Sequence, residues 1–185
     1  GLKIVMPGMA EDVGGLLVSA IRDNNPVLFL ENKYLYRRLH SPGTVSLEPI
    51  EIGKANVLRQ GTDITVVTYS AGVHQALDAA EELAKEGISV EVVDLRTVTP
   101  LDTETVVESV KKTSRAVVLH EAAVFMGMGA EIAAEIQNEA FWYLDQPVER
   151  IGALNTPIPT SPPLEEAVIP QPAEILQTIR KVAKA

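Results

Sequence analysis

Three short runs between Ile64 and Glu121 are apolar without a polar residue at every second place: Ile64-Thr-Val-Val-Thr-Tyr69, Val90-Glu-Val-Val-Asp-Leu95 and Ala116-Val-Val-Leu-His120. β-Branched runs of this kind suit strands buried on both faces, which predicts a parallel sheet covered by helices. Segments of helical period separate them. Val73, Ala76, Leu77, Ala80, Leu83 and Ala84 form one apolar stripe that ends at Gly87. Thr99-Pro-Leu-Asp102 supplies the start of a second helix, with Val106, Val107 and Val110 inward. The order is β-α-β-α-β, the signature of an α/β domain.

The flanks extend this pattern. Gly127-Met-Gly129 opens a helix carrying Ile132, Ala133 and Ile136, a last strand covers Val148 to Ile151, and a proline-rich stretch from Asn155 to Pro163 precedes a terminal helix with Ile175, Leu176, Ile179 and Val182 inward. Upstream, residues 1–31 read as a small β-α-β unit. Its helix shows Val13, Leu16, Leu17, Ala20 and Ile21 on one face and stops at Asp23-Asn24-Asn25-Pro26, because a residue before proline leaves the α region. That unit is too small to make its own core, and the chain begins within a strand, so it reads as a piece of a longer polypeptide. Residues 32–53, with His40 and Ser41-Pro-Gly43, are predicted to be a linker, and residues 54–185 a second domain. Ala55 to Arg59, the turn Gln60-Gly-Thr-Asp63 and the strand after it predict an antiparallel hairpin at the sheet edge.

Charge narrows the classes. A net charge of −9 argues against nucleic acid and against an anionic membrane surface, since both are bound through Lys and Arg, and it favours a basic protein partner. No cysteine is present, which removes disulfides, Fe–S clusters and thiolate nucleophiles. No apolar run approaches the ~20 residues that span a bilayer.

Candidate chemistry sits at the carboxyl ends of the strands, where open α/β sheets hold ligands. His120-Glu121 could supply a base or metal ligand, but Val124 stands where a zinc H-E-x-x-H motif needs histidine, and a structural role is favoured. Phe125-Met-Gly127-Met-Gly129 has the glycines of an anion loop without its lysine, and reads as a tight turn. Ser70 reads as an N-cap rather than a nucleophile. Asp94 and Arg96 read as an ion pair fixing the loop before Pro100, in preference to an anion site at Arg96. His74 reads as a surface residue. No Ser-His-Asp set, paired-carboxylate site or metal cluster can be assembled.

Ordered strings nevertheless resemble a family. Gly15-Leu-Leu-Val-Ser-Ala-Ile-Arg-Asp-Asn-Asn-Pro26 with Val27 to Glu31, Ile52-Gly-Lys-Ala55, Asp94-Leu-Arg-Thr97, Pro100-Leu-Asp102, Ser109-Val-Lys-Lys-Thr113, Gly129-Ala-Glu-Ile132 and Asn155-Thr-Pro-Ile-Pro159 are similar to beta subunits of thiamine-diphosphate-dependent 2-oxo-acid dehydrogenases. The resemblance covers essentially the whole chain. It implies the end of a pyrimidine-binding domain at residues 1–31 and a transketolase-type C-terminal domain at residues 54–185. That domain is a three-layer α/β/α sandwich around a five-stranded, mostly parallel sheet with one antiparallel edge strand.

Further implications concern function. Complete beta subunits pair with an alpha subunit and a second beta subunit, hold thiamine diphosphate and Mg at the alpha–beta interface, decarboxylate a 2-oxo acid and acylate a lipoyl group. The activating glutamate and the active-site histidine belong to the upstream part, so no catalytic residue carries over and the isolated chain is expected to be inactive. Two lesser roles do carry over. Ala20, Asp23 and Asn25 match a potassium-binding stretch, whose hard oxygen ligands suit that ion. Asp145 and the carboxylate of Ala185 match positions that face the basic subunit-binding domain of the dihydrolipoyl acyltransferase. The resemblance implies a bacterial cytoplasm or a mitochondrial matrix. Two rivals stand beside this reading: the matching fragment of transketolase or deoxyxylulose-phosphate synthase, and a stand-alone domain binding a small anion between Tyr69, Arg96 and Gly129.

Overall fold

Short β-branched stretches and long apolar stripes alternate down the chain, and in the computed structural model, which describes residues 1–37 and 46–185, they become strands and helices in that order. The first unit contains β1 (Lys3–Val5), α1 (Ala10–Arg22) and β2 (Val27–Phe29). The remainder runs β3 (Asn56–Arg59), β4 (Ile64–Thr68), α2 (Gly72–Ala84), β5 (Val90–Asp94), β6 (Thr97–Thr99), α3 (Thr103–Thr113), β7 (Ala116–Ala123), α4 (Met128–Ala140), β8 (Glu149–Ala153), α5 (Pro162–Glu166) and α6 (Pro172–Lys184). His40 and Ser41-Pro-Gly43 of the expected linker lie outside the described residues.

The main sheet has the order β3-β5-β4-β7-β8, parallel except for β3. All five residues of β4 and of β5 are buried, as their unbroken apolar runs require. Alternate residues feed two cores. Val66, Val92 and Leu119 meet Leu83 of α2 and Ile175 and Ile179 of α6 on one face. Val67, Val93 and Val118 meet Val110 of α3 and Ile132 and Ile136 of α4 on the other. Asp102 caps α3 by accepting from the Thr105 N–H at 3.2 Å, so the helix start read from Thr99 to Asp102 holds.

Three expectations change. The hairpin does not form: β3 pairs antiparallel with β5, and the 60–63 turn instead carries the chain across the start of β5 to the middle of the sheet. The reason is burial. β4 is covered on both faces and needs strand neighbours on both edges, whereas β3 is half-buried along its length and suits an outer position. Gly61 makes the crossing possible, because a Cβ there would lie 2.2 Å from the Glu91 nitrogen.

The second change concerns α1, which turns Asp12, Gly15 and Leu16 inward and leaves Leu17 and Ile21 exposed, Ile21 by 75%. Periodicity located the helix but not which part of its stripe this chain covers. The third is an unread strand. β6 leaves the main sheet and adds antiparallel to β1, giving a small sheet of order β2-β1-β6.

Candidate functional site

The crossover after β4 runs to β5 and the one after β7 runs to β8, in opposite directions, which opens a crevice at the carboxyl ends of β4 and β7. Gly8 of the first unit and Asn32, the residue just after that unit, reach into it. The Asn32 amide donates to Glu121 Oε2 at 2.7 Å, and His74 Nε2 lies 2.8 Å from the Gly8 carbonyl. His74 is therefore a half-buried joint residue rather than a surface one. Burial raises the Glu121 carboxyl above its usual range, the Asn32 hydrogen bond lowers it, and Glu165 adds to the rise.

Arg96 does not pair with Asp94. Its guanidinium takes Asp12 of α1 in a two-pronged contact, Nε to Oδ2 and Nη2 to Oδ1, both 2.7 Å, while its backbone N–H donates to Asp94 Oδ1 at 3.0 Å. Fork-to-fork geometry makes this a strong directional pair. Asp94 is left fully buried with Oδ2 lacking a partner. Burial drives its carboxyl up to about 7, the Arg96 N–H and charge pull it down, and Asp12 pushes it up. With Arg96 consumed by Asp12, the anion site proposed between Tyr69, Arg96 and Gly129 has lost its cation.

His120 is buried inside β7, stacked on Tyr69 with ring centroids 6.3 Å apart. Nδ1 lies 3.0 Å from the Ala122 carbonyl, which assigns the proton to Nδ1, and Nε2 has no partner. Burial lowers the affinity of the ring for a second proton; the Ala122 carbonyl opposes this and Arg150 reinforces it. The glycines of the Gly127–Gly129 loop do not supply the left-handed turn; Met126 does, with φ of 57°. They make room for the ring instead. A Cβ on Gly129 would sit 2.2 Å from His120 Nε2, and one on Gly127 or Gly152 would also crowd the ring, at 3.0 and 2.8 Å from Cε1, so three glycines leave space for it. Gly129→Ala is accordingly expected to lower stability by about 1–3 kcal/mol through overpacking, read as a reduced urea midpoint. Pairing it with His120→Ala should recover part of that loss.

Ser70 is not an N-cap. It has φ of 55°, its hydroxyl is buried without a partner, and Ala71 holds the cap position.

The potassium stretch forms contacts among its own members. Asp23 accepts from Lys3 Nζ and from both the N–H and the side-chain amide of Asn25, and its N–H points to the Ala20 carbonyl at 3.4 Å. The Lys3 ammonium is the largest influence holding the Asp23 carboxyl below the usual range, and the Asn25 bonds help. This arrangement terminates α1, with the Asp23 carboxylate engaged by Lys3 and Asn25.

Asp145 is half-exposed and ion-paired with Arg115 at 3.1 Å. The next residue, Gln146, donates to the Val182 carbonyl at 2.5 Å, tying this loop to the last turn of α6 before Ala185. Sequence reasoning missed Asp12, Asn32 and Trp142. Asp12 is one of two adjacent acids in the first turn of α1, and Glu11 beside it carries the same signal; nothing local marks the other two.

These elements have counterparts. The family model described as "Transketolase, C-terminal domain" matches residues 53–175. The pyruvate dehydrogenase E1 component subunit beta of Rickettsia felis is 47% identical over 98% of this chain and 56% of its own length. That of Bacillus subtilis is 48% identical over the same shares. The acetoin:2,6-dichlorophenolindophenol oxidoreductase subunit beta of Cupriavidus necator is 46% identical over 100% of this chain and 54% of its own. A solved structure described as a split gene transketolase, inactive beta4 tetramer, superposes with a TM-score of 0.81 at 26% identity, over 99% of this chain and 58% of that one. The chain thus spans little more than half the length of these relatives. From the antiparallel edge strand to α6, the chain belongs to the transketolase C-terminal domain family.

Proposed function

We propose that this chain is the carboxyl-terminal part of the beta subunit of a thiamine-diphosphate-dependent 2-oxo-acid dehydrogenase, and that its work is assembly rather than chemistry. The observation that carries the reading is identity of 47–48% to pyruvate dehydrogenase beta subunits along 98% of the chain. The crevice at the end of β4 supports it, because Gly8 and Asn32 reach into it and engage His74 and Glu121. The activating glutamate and histidine of this reading belong to the upstream part, so no catalytic step is assigned to this chain. Among the described residues no group of three or more His, Asp or Glu side chains could hold a metal. Among those residues, too, no helix is long and apolar enough to cross a membrane.

In this reading residues 1–31 complete a pyrimidine-binding domain, and the exposed Leu17 and Ile21 pack against its remainder. The alpha subunit and a second beta subunit are the primary partners. The face carrying Asp145 and Ala185 docks the basic subunit-binding domain of the acyltransferase. The test is to combine the full-length subunit with its alpha subunit and thiamine diphosphate, add an artificial electron acceptor, then measure decarboxylation of pyruvate and branched-chain 2-oxo acids and oxidative C–C cleavage of acetoin. Turnover of one of them is expected. Failure with all three, from a properly assembled complex, overturns the proposal.

A further inference from the structure

Three aromatic residues follow α4 and face outward: Phe141 and Tyr143 are half-exposed and Trp142 is 90% exposed. Phe141 and Trp142 brace each other edge to face, with centroids 4.9 Å apart. With Leu144, Asp145, Gln146 and Pro147 they line a cleft of about 360 Å³. An indole so exposed gains nothing from folding, and exposed aromatic clusters of this kind mark interaction surfaces.

The surroundings identify the chemistry of the partner. This patch captures the chain's own cations wherever they come near it. Lys111 Nζ sits 5.4 Å from the Tyr143 ring centroid, and Arg115 pairs with Asp145. Glu108 and Glu139 also act on Lys111, so acids rim the aromatic group. Asp145 and Tyr143 are thus already served from within, and among the described residues neither Trp142 nor Phe141, which braces it, has a cation seated on its ring. Indole is the best of the aromatic rings for holding one.

We propose that Trp142, braced by Phe141, is the stacking platform on which an arginine or lysine side chain of the basic docking partner is seated, and that Asp145 contributes less because Arg115 already neutralises it. This rests on the docking role proposed above and names its determinant.

The chain contains a single tryptophan, which makes the test direct. The acyltransferase's subunit-binding domain, prepared without tryptophan, would be titrated into the 185-residue chain while indole emission, acrylamide quenching and calorimetric heat are followed. The expected results are protection of Trp142 from quencher and affinity that falls with added salt. Trp142→Ala should weaken binding by about tenfold or more, as loss of a buried aromatic anchor does, with Trp142→Phe intermediate and Asp145→Asn within about threefold of the original. If the domain binds but Trp142 stays fully quenchable and Trp142→Ala binds normally, the stacking proposal falls and the docking role survives. If the domain binds neither this chain nor the complete alpha–beta assembly, the docking role falls and takes the proposal with it. A shift in emission that follows the concentration of the chain alone assigns the surface to a second copy and also overturns it.

Discussion

Arg96→Ala is expected to be among the most damaging single substitutions in the chain, costing about 3–5 kcal/mol, because it strands the buried Asp12 carboxylate without its partner. Both side chains are largely withdrawn from water, at 15% and 7% exposure, so solvent screening offers little relief. Asp12→Ala should cost a similar amount by stranding the guanidinium. The double variant is expected to be less damaged than the sum of the two, since neither charge is then left alone. Urea denaturation of the four proteins measures this. A double variant whose loss equals the sum of the singles shows that the pair does not act as a unit. Arg96 also carries a φ of 57°, a left-handed conformation that costs a non-glycine residue roughly 1–2 kcal/mol. An arginine is kept there for its side chain.

Asp94 gives the second large effect, and it is read through pH. Its carboxyl rises from an ordinary 3.8 to about 7 on folding, chiefly by burial. Between those values the unfolded chain has released the proton and the folded chain still holds it, so stability falls as pH rises through that window. Below 3.8 both forms are protonated and the contribution is complete. Above about 7 it is gone, a loss of roughly 4 kcal/mol at ~1.4 per pH unit. Asp94→Asn removes the titration while preserving an oxygen for the Arg96 N–H. It should therefore match the original protein near pH 4 and exceed it in stability at pH 8. Equal dependence on pH in the two proteins sinks the idea.

Much of the fold was legible because burial writes itself into local composition. The runs at Ile64, Val90 and Ala116 had to be covered on both faces, and β4, β5 and β7 are. The helices followed from their stripes, and Asp102 announced the start of α3. Partnership was harder. An apolar strand does not state which neighbour it takes, so β3 was assigned to β4 when it belongs beside β5. An ion pair between residues 84 apart leaves no trace in either neighbourhood, and Arg96 was given to the nearer acid. The same limit applied at the surface, where nothing near Asp145 in sequence announces its partner Arg115, which lies on the far side of α4.

The string Asp94-Leu-Arg-Thr-Val-Thr-Pro-Leu-Asp102 carried the family resemblance, and its polar members turn out to be joinery. Arg96 holds α1, the Thr97 hydroxyl accepts from the Gly53 N–H at 3.1 Å, and Asp102 accepts from the Ala55 N–H at 2.9 Å. Recognisable sequence here marks where separate segments of the chain meet, not where a substrate would sit.

Because β6 follows β5 directly yet belongs to the other sheet, the chain has no clean place to be cut. A shortened version starting at the expected domain boundary would bare the edge of the three-residue strand β6 and strip Arg96 of Asp12 together. Unpaired strand edges recruit other chains. Dividing this protein by its linker would thus trade a well-behaved domain for a self-adhesive one, and expression boundaries are better drawn ahead of β1.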